Sequence, residues 1–299
     1  MGGLLQGLKE NSFIYLRVMI DMTIRIVTDS SCDLPQEAIQ EHKITVIPLF
    51  INVGDQSYRD VVDLSHQEFY ERLPEFSPAP KTAAPSSEVF RKAFEQLASE
   101  GATEILSIHV STKLSAIVEI ARTAAKETTC LPVTVFDSRQ LSLGAGFQVL
   151  AAAEAAYRGL SMSEILALLE EQIRRTHVFA ALDTLEYLKR SGRMNFAISA
   201  LGTLLQVKPF MKMYNGEPTA ERVRTRKGAM KRLVELLEEY GPYEKAALLH
   251  SHARQRAETL LQEVRSLLPA GDIWVEEITP VLGAHIGPGV IGFACISKE

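Results

Sequence analysis

Ile105-Leu106-Ser107-Ile108-His109-Val110, then Ala116 to Lys126, then Val133-Thr134-Val135-Phe136, then Leu143 to Arg158, is the run that decides the fold. The first and third segments are short, apolar and rich in β-branched or aromatic residues, as buried strands are. The second and fourth have the length and the alanine content of helices. Strand, helix, strand and helix in that order make βαβ units, whose strands lie parallel.

The same alternation runs outward in both directions. Upstream, Ile24 to Val27 and Ile44 to Val53 read as strands, and Leu34-Pro35 opens a short helix with Asp33 as its cap. Ser65-His66-Gln67-Glu68 has the spacing of a capping box for a helix through Leu73, and Pro74 to Pro85 reads as a proline-rich link to a helix over 87–99. Downstream, Gly159 punctuates the pattern and Ser161 to Glu164 is a second capping box. The remainder is more mixed. Phe179 to Leu182 reads as a strand before a helix capped at Thr184, and an apolar helix is expected over Ala197–Gln206. Asn215-Gly216 between two strand-like runs is a hairpin signal. Two further helices, a strand at Ala246 to His250 and two final strands complete the chain.

The expected fold is therefore α/β in two α/β domains. Residues 22–158 form an N-terminal domain with a largely parallel sheet, 159–299 a C-terminal domain with a mixed sheet, and 1–21 a short extension. A length of 299 residues agrees with two domains. A net charge of -5 argues against a nucleic-acid partner, because such proteins carry a basic field. Three cysteines, far apart in sequence, match no zinc spacing and suit a reducing cytoplasmic setting. No run reaches the length of a membrane-spanning helix, and no signal-peptide pattern is present.

Chemistry concentrates in a few places. Gly283-Ala284-His285-Ile286-Gly287-Pro288-Gly289 places one histidine in a stretch of glycine and proline. It reads either as a tight connection whose histidine faces water or as a nest of amides around an oxyanion. Polar clusters at Asp29-Ser30-Ser31, Ser111-Thr112 with Ser115, and Asp137-Ser138 fall at strand ends. In an open parallel sheet that edge binds ligands, although each cluster alone also reads as a helix cap. Ser115, His285 and Asp137 supply the residue types of a serine-dependent acyl hydrolase, but no Gly-x-Ser-x-Gly elbow surrounds Ser115. Phosphate-binding glycine loops and metal-ligand spacings are absent from the sequence. Arg222, Arg224 and Arg226 alternate, and on a strand they would project from one face as an anion-binding patch.

The order of the motifs is more specific than any one of them. Ile26-Val27-Thr28-Asp29-Ser30, Lys81-Thr82-Ala83-Ala84-Pro85-Ser86 and Asp183 through Arg193 come first. Gly202 through Pro209, Val223 through Lys227 and the His285 stretch follow. In this series the chain resembles the DegV family of bacterial fatty-acid-binding proteins, from about Thr23 to the C-terminus. The resemblance implies a long-chain fatty acid with its carboxylate near the domain interface and its acyl chain in an apolar tunnel. It also implies a carrier without cofactor or turnover, which presents the fatty acid to a separate fatty acid kinase for acyl-phosphate formation. Such a carrier would touch a membrane surface only transiently.

Carried over position by position, the resemblance implies that Thr82 and Ser115 hydrogen-bond the carboxylate. His285, flanked by Gly283 and Gly287, would join them, with Arg224 near the head group. Arg193 and Arg222 would face the partner. Ala83-Ala84 stands where the family carries Ser-Gln, Ala116-Ile117 where it carries Gly-Thr, and Ser191 where it carries glycine. The expected tunnel walls are Ala197 to Leu205, Ile278 to Leu282 and Ile291 to Phe293.

Overall fold

A parallel sheet and a larger mixed sheet, with a small antiparallel third, carry the chain, and a computed structural model describes residues 23–194 and 208–299 of it. The expected extension 1–21, the apolar helix Ala197–Gln206 and the tunnel wall Ala197 to Leu205 lie outside the described residues.

The first half runs β1 (Ile24–Asp29), α1 (Gln36–Glu41), β2 (Thr45–Ile47), β3 (Phe50–Val53), β4 (Gln56–Arg59), α2 (His66–Arg72), β5 (Lys81–Ala83) and α3 (Ser87–Ser99). It continues through β6 (Glu104–His109), α4 (Ile117–Glu127), β7 (Val133–Asp137) and α5 (Ser142–Tyr157). Strands β2-β1-β6-β7 form a parallel sheet in that order. The strand expected over Ile44–Val53 is two strands, because Pro48 has no N–H to give to a ladder. After it the chain turns away, and β3 pairs antiparallel with both β4 and β5.

Strand β5 lies inside the segment that reads as a proline-rich link, with Thr82 opposite Ile51. Asp33 does not cap α1, which follows Pro35 directly. It sits at φ 52° and turns its carboxyl elsewhere. Ser65 does cap α2 through the Glu68 amide, while Glu68 reaches forward to Arg72.

The second half runs α6 (Met162–Ile173), β8 (Thr176–Ala181), α7 (Glu186–Arg190), β9 (Lys208–Tyr214), β10 (Glu217–Val223) and α8 (Arg226–Tyr240). Then come β11 (Tyr243–His250), α9 (Arg254–Val264), β12 (Trp274–Glu277), α10 (Pro280–Ile286) and β13 (Ile291–Ser297). The sheet order is β10-β9-β8-β13-β11-β12, antiparallel except for the parallel pair β11 and β12. Asn215 and Gly216 take φ 47° and 83°, as the two-residue turn between β9 and β10 requires. Ser161 and Glu164 complete their capping box at the start of α6.

Helix α5 lies between the two sheets, and its apolar residues are buried on nearly every side. A helix without a polar face is stable only when covered all round. Its glycines explain how close the cover comes. Gly144 and Gly146 point to opposite sides of the helix. A Cβ on the first would collide with Val178 in β8, and one on the second would lie 2.5 Å from the Cys32 carbonyl oxygen.

The expected Gly283–Gly289 loop is a helix over its first half. Pro280 starts α10 at the position where a missing N–H costs nothing, and Gly287 ends it at φ 74°.

Candidate functional site

A cavity opens where α10, β5, the start of α4 and the inner face of the mixed sheet meet. Its unfilled space is about 1160 Å³ including the mouth, and its walls are mostly apolar side chains. On β8 and β9 the period of two sends Val178 and Ala180, with Met211 and Met213, toward it. Leu114, Leu141, Leu182, Ile278, Val281 and Leu282 supply much of the rest. The expected wall Ile278 to Leu282 is therefore present. Ile291 and Phe293 instead pack into the core on the other face of the sheet, under α8 and α9, and Val290 takes the lining position.

The polar groups of the cavity come from far-separated segments. Thr82 stands on β5, Ser115 just ahead of α4, His285 on α10 and Arg193 shortly after α7. Thr82 Oγ1 and His285 Nε2 share a hydrogen bond of 2.9 Å. Burial, reinforced by the positive charge of Arg193, pulls the His285 pKa down to about 4. Its Nδ1 is buried and finds no partner among the described residues, which further disfavours a second proton on the ring. His285 is thus a neutral imidazole at pH 7. Ser115 Oγ accepts the Ile117 amide at 3.3 Å, so the serine also begins α4.

The hydrolase constellation does not assemble. His285 bonds to Thr82, Ser115 to the Ile117 amide, and Asp137 accepts from the Thr112 hydroxyl at 2.6 Å. A serine–histidine–aspartate chain exists elsewhere. Ser107 Oγ lies 2.7 Å from His109 Nε2, and His109 Nδ1 lies 2.9 Å from Asp29. All three side chains are buried in the parallel sheet, and Phe90 meets the imidazole edge-on. A nucleophile needs access to substrate, and this serine has none. Burial pushes the Asp29 carboxyl up, but the bond and charge of His109 outweigh it and hold the carboxyl below its ordinary value.

Several expected site residues fall elsewhere. Gly283 and Gly287 offer no nest, because their amides donate to Thr279 and Gly283 carbonyls at 2.8 Å. Their lack of a side chain serves packing instead: a Cβ on Gly283 would strike the Tyr70 hydroxyl, and one on Gly287 the Tyr187 ring. Arg222 and Arg224 are exposed and do not line the cavity. Strand β10 ends at Val223, so Arg224 is past it and Arg226 opens α8, where it pairs with Asp183 at 2.7 Å. The expected one-faced arginine row is therefore not formed. Arg193, expected on the partner-facing surface, is half-buried and lines the cavity.

Among the polar strand ends, Ser31 and Ser115 reach the cavity, whereas Asp29 and Asp137 do not line it. The alternation of Met211 and Met213 was a readable signal for the wall. Arg193 carried none, since a turn does not announce which way its side chain points.

Among the described residues no helix is long and apolar enough to cross a membrane, and no group of three or more histidine, cysteine, aspartate or glutamate side chains is placed to hold a metal.

Comparison with known proteins places these features. The model of the DegV family of uncharacterised proteins matches residues 23–298. A DegV domain-containing protein of Streptomyces coelicolor is 35% identical over 280 residues, covering 92% of this chain and 99% of the relative. A solved DegV family protein from Thermus thermophilus, described for its fatty acid binding, superposes with a TM-score of 0.84 at 36% identity, over 93% of this chain and 100% of its own. DegV of Bacillus subtilis, solved as a fatty acid binding protein, superposes with a TM-score of 0.85 at 30% identity, over the same 93% and 100%.

Proposed function

This chain belongs to the DegV family, and we propose that it carries one long-chain fatty acid, which it holds by an apolar cavity and orients by a polar end. The observation that carries this reading is the cavity itself. Side chains from both halves of the chain enclose one mostly apolar space, the kind of lining that holds a hydrocarbon chain while a few polar groups fix its orientation. Thr82, Ser115, His285 and Arg193 give it polarity, with Ser31 and Ser142, while Lys212, the other cation of the lining, is already paired with Glu221.

The energetics suit a carrier. Burying a chain of about sixteen carbons at ~0.8 kcal/mol per CH₂ supplies on the order of 10 kcal/mol before ordering costs. Each hydroxyl hydrogen bond to a carboxylate adds roughly 1.5–3 kcal/mol. The acyl chain therefore sets affinity, and the polar end sets which way the molecule lies. Neutral His285 keeps the Thr82 hydroxyl in place, and Arg193 supplies the positive charge that a carboxylate requires.

In this reading the two α/β units, 22–158 and 159–299, share the ligand, since Thr82 and Ser115 come from one and His285 and Arg193 from the other. The head group is presented at the mouth to a separate fatty acid kinase, which forms the acyl phosphate, and this chain has no turnover of its own.

Denaturing mass spectrometry of protein purified from a bacterial host tests the first step, with a fatty acid expected near one per chain. Finding none, together with no affinity for added palmitate, overturns it. Acyl-phosphate formation from the loaded protein, a kinase and ATP tests the second.

A further inference from the structure

Three buried side chains of the first half grip the start of α10, the helix that carries His285. The Asp33 carboxylate accepts the Thr279 amide at 3.0 Å, and the Asp60 carboxyl accepts the Val281 amide at 3.1 Å. The Tyr70 hydroxyl donates to the Ile278 carbonyl at 2.9 Å. Asp33, Asp60 and Tyr70 are 4%, 1% and 2% exposed, and none of them lines the cavity. Tyr70 also lies over Gly283, where any Cβ would collide with its hydroxyl. The opposite oxygen of Asp33 accepts the Ser142 hydroxyl, and that of Asp60 lies 2.5 Å from the Ser30 hydroxyl oxygen, which ties the grip to α5 and to the end of β1.

Resting on the fatty-acid reading, we propose that Asp33, Asp60 and Tyr70 are positioning residues that set α10 so that His285 meets Thr82 at the head of the cavity. Residues 278–286 belong in sequence to the second half, and the Ile278 amide stays with it through the His250 carbonyl at 2.8 Å, yet the Ile278 carbonyl and the Thr279 and Val281 amides bond to the first. An imidazole at a helix end moves with the helix, and a shift of about 1 Å is enough to lose a hydrogen bond. Burial pushes the Asp60 carboxyl up to about 8, with Asp33 and Asp29 adding repulsion. A protonated Asp60 accepts the amide with one oxygen and shares its proton with Ser30. Asparagine reproduces that pattern and alanine does not.

The test combines histidine ¹⁵N NMR of the ligand-free protein with calorimetric titration of palmitate. Asp60→Ala and Asp33→Ala should weaken palmitate binding at least tenfold. Both should move the His285 nitrogens toward the values and pKa of a solvated histidine. Asp60→Asn should leave both measurements as in the wild type. Tyr70→Phe and Gly283→Ala probe the same grip if the alanine variants do not fold, and each should move the His285 signals.

Unchanged His285 resonances in variants that fold overturn the proposal, whatever happens to their melting temperature. Loss of the His285 signature in Asp60→Asn as well as in Asp60→Ala also overturns it. Failure of the wild type to bind palmitate would end the fatty-acid reading, while the NMR outcome would still decide whether these residues position His285.

Discussion

Thr82 and His285 stand 203 positions apart and share a hydrogen bond of 2.9 Å at the head of an apolar cavity. The pair joins a short strand from one half of the chain to a short helix from the other. It makes the polar end of the cavity depend on tertiary structure, and the consequences can be measured.

Thr82→Val and Ser115→Ala each remove one donor to the ligand carboxylate. A charge-assisted bond worth roughly 1.5–3 kcal/mol corresponds to about ten- to 150-fold in affinity. Thr82→Val should be the more damaging, because it also releases His285. Calorimetric titration with palmitate measures both, and unchanged affinity in both variants places the head group elsewhere.

Arg193→Ala should weaken fatty-acid binding and also raise the His285 pKa, since the Arg193 charge helps to depress it. NMR titration of His285 reads the second effect. A variant that binds palmitate normally while failing only with the kinase would return Arg193 to the partner-facing role.

Asp60→Asn should gain stability relative to the wild type as pH rises. The folded carboxyl is raised from 3.8 to about 8, so the folded state holds a proton that the unfolded chain has released. Its contribution is fully present below pH 3.8 and is lost as pH climbs toward 8. His285 and His177, each pulled down to about 4 by burial, act with the opposite sign, and the comparison cancels them. Melting curves of both proteins across this range check the slope. A constant gap between them sinks the assignment.

Gly146→Ala should destabilise the protein more than Gly144→Ala. The first meets the Cys32 carbonyl, which is backbone, and the second meets the Val178 side chain, which can yield. Overpacking of this kind costs about 1–3 kcal/mol, and denaturant unfolding gives the order directly.

Treatment with a serine-directed phosphonate should leave the wild-type mass unchanged, because Ser115 has no hydrogen bond to His285 and Ser107 is buried. A covalent adduct at Ser115 would restore the hydrolase reading.

The regular elements were legible where a local rule governs them. Asn215-Gly216 turned the hairpin, Ser161 and Glu164 capped α6, and the alanine-rich run from Leu143 marked the long helix α5. The misreadings share one cause, which is a partner distant in sequence. β5 is a strand because β3 pairs with it, although its own residues sit among prolines. Asp33 has the residue type of a helix cap, yet its carboxyl is drawn to Thr279 and Ser142. The His285 stretch has loop composition, and it coils into α10 under Tyr70, Asp33 and Asp60.

Sequence alone determined the α/β class, the parallel first sheet and mixed second one, the family, and the residue types at the polar end of the cavity. Each of these rests on periodicity, turn chemistry or the order of motifs, which are local properties of the chain. Tertiary structure decided that Thr82 meets His285, that Arg193 faces the cavity and Arg224 does not, and that Gly283 and Gly287 are small for packing. These follow from contacts between segments far apart in sequence. A side chain's direction there is set by whatever packs against it, and no local pattern encodes that.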